Sequence, residues 1–398
     1  MRNISLEPRK PKTLDLFCGI GGLTIGLERA GFESLGGVDI WKDAGETFVF
    51  NIPSVPFLEA DLTAITPQEL LNRLGIKKAD LDLIAGGPPC QGFSTVGKRD
   101  VDDPRNRLWT HYLKIVDYIR PSYVLIENVE GLNVMKGGQV RDSLIAAFHD
   151  IGYRMKSRVL ISAQYGVPQL RKRIVFLGWL PGLQEPIFPV PTHSEDSYVT
   201  VDDAISDLPA LRSGESRTTY TTSAQSEFQK NIRSMATHLE NHHAANHPPH
   251  LVELLSHIPD GGNRKSIPDH LQPKSGFHNS YARLASFKPA VAVTSNMRKP
   301  SSARATHPRQ NRGLTVREGL RLQTFPDTFV VQGSRSSQYL QVGNAVPPIL
   351  AERIGHEILV AYRANAVDEV IQERANKAKL ERPVSTLHVQ PDLLADSS

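Results

Sequence analysis

Short apolar runs of strand length alternate with stretches of helical spacing over the first half of the chain. Residues 13–17 form the first such run, and Gly19-Ile20-Gly21-Gly22 turns the chain out of it. Leu23, Leu27 and Ala30 then share one helical face, with Gly31 as the stop. Further strands are expected at 34–39, ending on Asp39, and at 58–62, 81–85 and 123–126. Helices are expected at 42–50, from Pro67, at 107–119 and at 140–150. Residues 158–161 and 173–179 read as paired later strands. Strands separated by helices specify βαβ units and a mainly parallel sheet, so the expected fold class is α/β.

The alternation stops after Pro181. Residues 181–230 are rich in Pro, Ser and Thr and carry one short helical pattern at 201–205. Helical spacing returns from Thr315 through Leu322 and again within 339–362. The charged stretch after Val367 predicts a frayed helix and then disorder. The expected division is a larger domain at 1–190, a smaller one at 191–335, a return to the larger at 336–366, and a polar tail at 367–398.

Composition adds limits. The 398 residues are 39% hydrophobic and 22% charged, enough for one large domain and a second. No run is long and apolar enough to span a bilayer, and Met1-Arg2-Asn3-Ile4-Ser5 does not open a signal peptide. Two cysteines make no disulfide framework, so the expected setting is reducing and cytoplasmic. The net charge of +4 hides an asymmetry. Residues 231–313 hold eleven Lys/Arg against four Asp/Glu, leaving the rest of the chain net negative. A polyanion partner fits that distribution; a solvated basic face is the alternative.

Five segments carry candidate chemistry. Gly86-Gly87-Pro88-Pro89-Cys90-Gln91 follows the 81–85 strand, and a strand ending in Gly-Gly-Pro-Pro must turn sharply. The turn lifts the Cys90 thiol out at the carboxyl edge of the sheet, where open α/β sheets hold ligands. The glycine turn at 19–22 lets a ligand approach backbone at a helix start, although it has neither the dinucleotide spacing nor a Walker lysine. Asp39 and Asp61, both expected at strand ends, suit a nucleoside; a plain tight turn is the alternative reading. Glu127-Asn128-Val129 ends the strand expected beside Cys90, where a helix cap is the alternative. Gln169-Leu170-Arg171-Lys172-Arg173, if extended, turns Gln169, Arg171 and Arg173 to one face. Gln341 to Pro348 reads as a loop holding a buried amide, before a helix that starts after Pro348.

Taken together and in this order, these segments resemble the DNA (cytosine-5) methyltransferases. Asp15-Leu16-Phe17-Cys18-Gly19-Ile20-Gly21-Gly22, Pro88-Pro89-Cys90-Gln91-Gly92-Phe93-Ser94, Glu127-Asn128-Val129, residues 169–173 and Gly343-Asn344-Ala345-Val346-Pro347-Pro348 carry the resemblance. Thr315-Val316-Arg317-Glu318, Arg321-Leu322-Gln323 and Phe325-Pro326-Asp327 add to it, so it runs from about Lys12 to Arg363. It implies a Rossmann-like S-adenosylmethionine-dependent domain with a smaller target-recognition domain. Its substrate would be cytosine in double-stranded DNA, flipped out of the helix, in a bacterial restriction-modification setting with a cognate endonuclease.

The resemblance also implies roles. Cys90 would add to cytosine C6, Glu127 would hold N3 and the exocyclic amine, and Arg173, with Arg171 nearby, would serve the O2 side. Phe17, Gly19, Gly21 and Pro88 would surround the cofactor, with Asn344 completing the pocket. Asp39 would bind its ribose, Asp61 its adenine amine, and Ile40, or else Trp41, would pack on the adenine. Gln91, Ser94, Arg99, Gln169, Arg264 and Arg283 are expected to touch DNA. His242, His243, His247 and His250 fit no zinc module and read as surface histidines, so no metal is expected. A monomer is the expected state. A tRNA cytosine-5 methyltransferase and a non-catalytic DNA-binding protein of this fold are the competing readings.

Overall fold

The computed structural model describes residues 9–89, 107–233, 235–274, 280–301 and 306–380. Strands and helices follow in the order β1 (Lys12–Leu16), α1 (Gly22–Ala30), β2 (Glu33–Asp39), α2 (Lys42–Asn51), β3 (Phe57–Glu59), α3 (Pro67–Leu74), β4 (Leu83–Gly86), α4 (Arg107–Ile119) and β5 (Tyr123–Val129). Then come α5 (Gly131–Val134), α6 (Gln139–Asp150), β6 (Arg154–Ile161) and β7 (Lys172–Trp179). The remaining helices are α7 (Val201–Ile205), α8 (Glu227–Arg233), α9 (Pro249–Ser256), α10 (Val316–Leu322), α11 (Arg335–Asn344) and α12 (Pro348–Leu380).

Seven strands form one sheet in the order β3-β2-β1-β4-β5-β7-β6. β1 to β5 pair in parallel, and β7 runs antiparallel to both β5 and β6. The chain builds outward from β1 to β3, then crosses back to lay β4 on the other side of β1. That reversal opens a crevice at the carboxyl ends of β1 and β4. Because β7 is antiparallel to β5, its first residues lie at the same edge, with Arg173 opposite Val129.

β4 and β5 are continuous apolar runs because helices cover both faces of a parallel sheet. Leu14, Leu16, Ile84, Val124 and Phe176 belong to one buried cluster, and Leu23, Leu27, Leu350 and Ile354 pack on the opposite face. α1 and α12 therefore sit together although over 300 residues separate them. A third cluster joins Ile20 and Ala44 to Val201, Leu284, Leu320 and Val342.

Charge as well as apolar area holds that last region. Arg312, Arg317 and Arg321 are wholly buried. Arg321 meets Asp327 at 2.6 Å and pairs with Asp207, while Arg312 meets Glu318 at 2.6 Å. Thr315 caps α10, and Glu318 returns a bond to the Thr315 N–H, forming a capping box.

Two expectations are corrected here. Gln341 to Asn344 is the last turn of α11, not a loop. His242 and His247 are not surface histidines: the His242 ring bonds Thr315 and the Pro209 carbonyl, and His247 Nε2 accepts from the Gly313 N–H. Burial holds both rings below the usual histidine range.

Candidate active site

A cavity of about 790 Å³ lies in the crevice, at the carboxyl edge of the sheet. On one side the glycine turn follows β1. Phe17, Gly19 and Gly21 all have positive φ, at 62°, 53° and 87°, which permits the tight reversal into α1. A Cβ built on Gly19 meets no atom within 4 Å, so its backbone lies bare to the cavity. A Cβ on Gly22 would collide with the Val346 carbonyl oxygen, so the turn is pressed against the segment after α11.

Asp39 ends β2 and accepts the Gly19 N–H at 2.8 Å and the Trp41 N–H at 2.9 Å. It thus fixes the turn while lining the cavity; burial raises its pKa. Ile40, 63% exposed, and Asp61 line the same wall. One Asp61 oxygen takes both the N–H and the hydroxyl of Thr63 at 2.8 Å. Asp61 lies two residues past the end of β3 rather than on it. The open space beside Gly19, two carboxylates and an exposed apolar side chain fit the adenosyl and amino-acid parts of S-adenosylmethionine. Asn344, exposed at the end of α11, lines the cavity as well.

On the other side stand Glu127, Arg171 and Arg173. Glu127 lies near the end of β5, as expected, with its side chain largely buried. Arg173 Nε is 2.8 Å from Glu127 Oε1. A Cβ on Gly87 would stand 3.5 Å from Glu127 Oε2, which places this carboxylate beside the end of β4. Asn128 donates its side-chain amide to the Pro88 carbonyl at 2.7 Å and ties β5 to the Pro88-Pro89 turn. The sequence expectation paired Asn128 with Glu127 but gave it no tether, and a bond across 40 residues leaves no local signal.

The residues from Gln169 to Arg173 alternate as expected, with Leu170 and Lys172 exposed and the other three turned inward. Arg171 is fully buried and donates to the carbonyls of Val293, Gly343 and Ala345 at 3.1–3.3 Å. Burial, then the neighbouring Arg173, lowers its pKa to about 9, while Glu127 acts in the opposite direction.

Several expected DNA contacts stand elsewhere. Gln169 is wholly buried, with its amide donating to Leu322 and Gln323 and accepting from the Val293 N–H, so it organises the core instead of meeting a ligand. Arg283 is also buried, its guanidinium donating to the carbonyls of Leu255, Ile258, His307 and Gln310. Arg264 is half-buried and donates to the Pro273 carbonyl at 3.1 Å. Cys90, Gln91, Ser94 and Arg99 lie outside the described residues. Pro88, buried at the cavity wall, is the step before them.

The model of the C-5 cytosine-specific DNA methylase family matches residues 11–360. Type II methyltransferase M1.HphI of Haemophilus parahaemolyticus is 41% identical over 349 residues, covering 87% of this chain and 86% of that protein. Type II methyltransferase M.DdeI of Desulfomicrobium norvegicum is 36% identical, covering 87% and 88%. Among solved structures, a prophage DNA modification methyltransferase of E. coli superposes with a TM-score of 0.70 at 25% identity, covering 89% of this chain and all of that one.

Proposed function

This chain belongs to the C-5 cytosine-specific DNA methylases, and we propose that it methylates cytosine within a short specific sequence of double-stranded DNA through a covalent bond between Cys90 and C6. It is a DNA (cytosine-5)-methyltransferase of the bacterial modification type, as its relatives' names and family match indicate. Restriction-modification is accordingly its setting, and a separate endonuclease acting on the same sequence is part of the proposal.

The observation that carries the mechanism is the Arg173–Glu127 pair beside the turn that leads into Cys90. Cytosine C5 is too weak a nucleophile to accept a methyl group unaided. Addition of the Cys90 thiolate to C6 makes the ring an enamine, with C5 nucleophilic. The electron density gained at N3 and O2 needs partners: Glu127 for N3 and the exocyclic amine, Arg173 for O2. Arg171, one residue before β7, braces this strand from beneath. After methyl transfer a base, water in this account, removes the C5 proton, and the Cys90 sulfur leaves as a thiolate. S-adenosylmethionine would supply the methyl group; Asp39 would hold its ribose, Asp61 and Ile40 its adenine, and Phe17, Gly19, Pro88 and Asn344 the rest, while Gly21, turned toward Phe48 and Ile52, would shape the turn and not touch it.

A base stacked in a duplex is not open to attack at C6 inside an enzyme pocket, so the target would be flipped out at a cost of a few kcal/mol. Gln91, Ser94 and Arg99 would act there, and Arg264 on the basic segment would hold the duplex. The proposed domain division remains 1–190, 191–335 and 336–366, with one monomer acting on one flipped base. Among the described residues no helix is long and apolar enough to cross a membrane. Incubation with methyl-labelled S-adenosylmethionine and either duplex DNA or tRNA tests the reading. Label recovered as 5-methylcytosine from DNA supports it; label in tRNA alone, or in neither, rejects it.

A further inference from the structure

The segment from Gln169 to Arg173 has two faces, and a cavity stands on each. Arg171 and Arg173 line the catalytic cavity. Leu170 points the other way, is 45% exposed, and lines a separate cleft of about 530 Å³. The opposite wall of that cleft is the turn Gly261-Gly262-Asn263, with Lys288, Glu195 and Val291 nearby. Leu170 lies two residues before β7, so this cleft sits at the same sheet edge as the catalytic cavity.

The two cavities are mechanically joined. The Leu170 N–H donates to the Ala290 carbonyl at 2.7 Å, and the Ala290 N–H returns a bond to Pro168 at 2.9 Å. Three residues on, the Val293 N–H donates to Gln169 Oε1 at 3.0 Å, and the Val293 carbonyl accepts from Arg171 at 3.1 Å. Segment 290–293 therefore bonds to Leu170, which lines the cleft, to the buried Gln169, and to Arg171, which lines the catalytic cavity. The far wall is braced too. The Gly261 N–H donates to Leu284, the Arg283 N–H donates to Gly262, and the buried Arg283 guanidinium spans the loops beneath.

An apolar floor with an amide, a cation and a carboxylate at its rim suits the edge of a base pair better than a phosphate, which has no use for Leu170 or Val291. We infer that this cleft takes the base pair beside the target cytosine, and that Leu170 is a positioning residue which passes the fit of that pair to Arg171 and Arg173. The inference rests on the DNA reading above. A matching pair seats against Leu170 and leaves the strand in register. A mismatched pair shifts Leu170, and with it the backbone that holds the two arginines. Discrimination then appears in kcat as well as in KM.

The test uses the full-length protein and duplexes carrying its methylated sequence, together with every single-base variant of that sequence. Leu170→Ala is expected to lower the preference for the correct neighbour of the target cytosine by about ten-fold, chiefly through kcat. Leu170→Met, which keeps the volume, is expected to restore most of that preference. Should the alanine variant fail to fold, Asn263→Ala on the far wall carries the same expectation. An unchanged preference in folded variants, or an equal relaxation at positions remote from the target, overturns the inference alone. A wild-type protein that methylates no duplex overturns the DNA reading as well.

Discussion

Arg173 and Glu127 face each other across the β5–β7 pair with 2.8 Å between Nε and Oε1, although they are not register partners. Glu127 lies opposite Val175 and Arg173 opposite Val129, so the contact runs diagonally across two rungs. The antiparallel strand β7 brings Arg173 to the carboxyl edge beside β5. Glu127→Gln keeps the shape but cannot lend a proton in the same way. It is expected to lower kcat by about 10²–10⁴ while duplex affinity changes little. Single-turnover methyl transfer together with a gel-shift assay checks this; equal losses in both would show a structural role.

Asp39 does two jobs at once, receiving the Gly19 and Trp41 N–H groups and lining the cavity. Asp39→Ala is expected to raise the KM for S-adenosylmethionine by about ten- to a hundred-fold, the loss of charge-assisted bonds. The KM for DNA is expected to stay within about three-fold. Initial rates with each substrate varied in turn decide the matter, and an unchanged cofactor KM would refute the ribose assignment.

Arg321 is fully buried between Asp327 and Asp207. Removing it takes the cation shared by two buried carboxylates, leaving Asp207 with Arg233 at 3.0 Å and Asp327 with Arg317 at 3.5 Å. Arg321→Ala is therefore expected to cost about 3–5 kcal/mol, the usual penalty for breaking a buried ion pair from one side. Urea unfolding measures it. A loss below about 1 kcal/mol would mean that water reaches the carboxylates.

Asp15 lies buried on β1, where one oxygen accepts the Thr24 hydroxyl at 2.7 Å. Burial pushes its pKa up to about 7 from an ordinary 3.8. Its raised pKa makes a contribution to stability that is complete below 3.8 and lost as pH rises through about 7. Asp15→Asn, which still accepts from Thr24, removes that dependence. Relative to wild type, the variant is expected to be more stable at pH 8 than at pH 5, as read from unfolding midpoints. A gap that is equal at both pH values would contradict the assignment.

The sheet was legible because its parallel strands are short segments with an apolar centre, separated by helical spacing and by glycine or proline turns, even though Asp15 interrupts β1. Misreadings arose where distant packing overrides local preference. Gly343 suggested a loop, yet it lies within α11, and glycine stands there because a Cβ would strike the Ser295 backbone nitrogen of a distant segment. Arg283 looked like a DNA contact because an arginine near basic residues ordinarily reaches solvent. Its acceptors come from loops about 25 residues away on either side, which no local pattern reveals. The buried Arg317 and Arg321 did leave a signal that went unused. They are four residues apart on a helix bearing Leu320 and Leu322, with Asp327 close behind.

The central claim is that this chain methylates cytosine at C5 through Cys90. Bisulfite sequencing of a plasmid carrying the gene, grown in a host without cytosine methylation, tests it most directly. The account predicts protected cytosines at one short repeated sequence, and none when Cys90→Ala replaces the wild type. Soluble, expressed wild-type protein with no protected cytosine, or protection that survives Cys90→Ala, would contradict it.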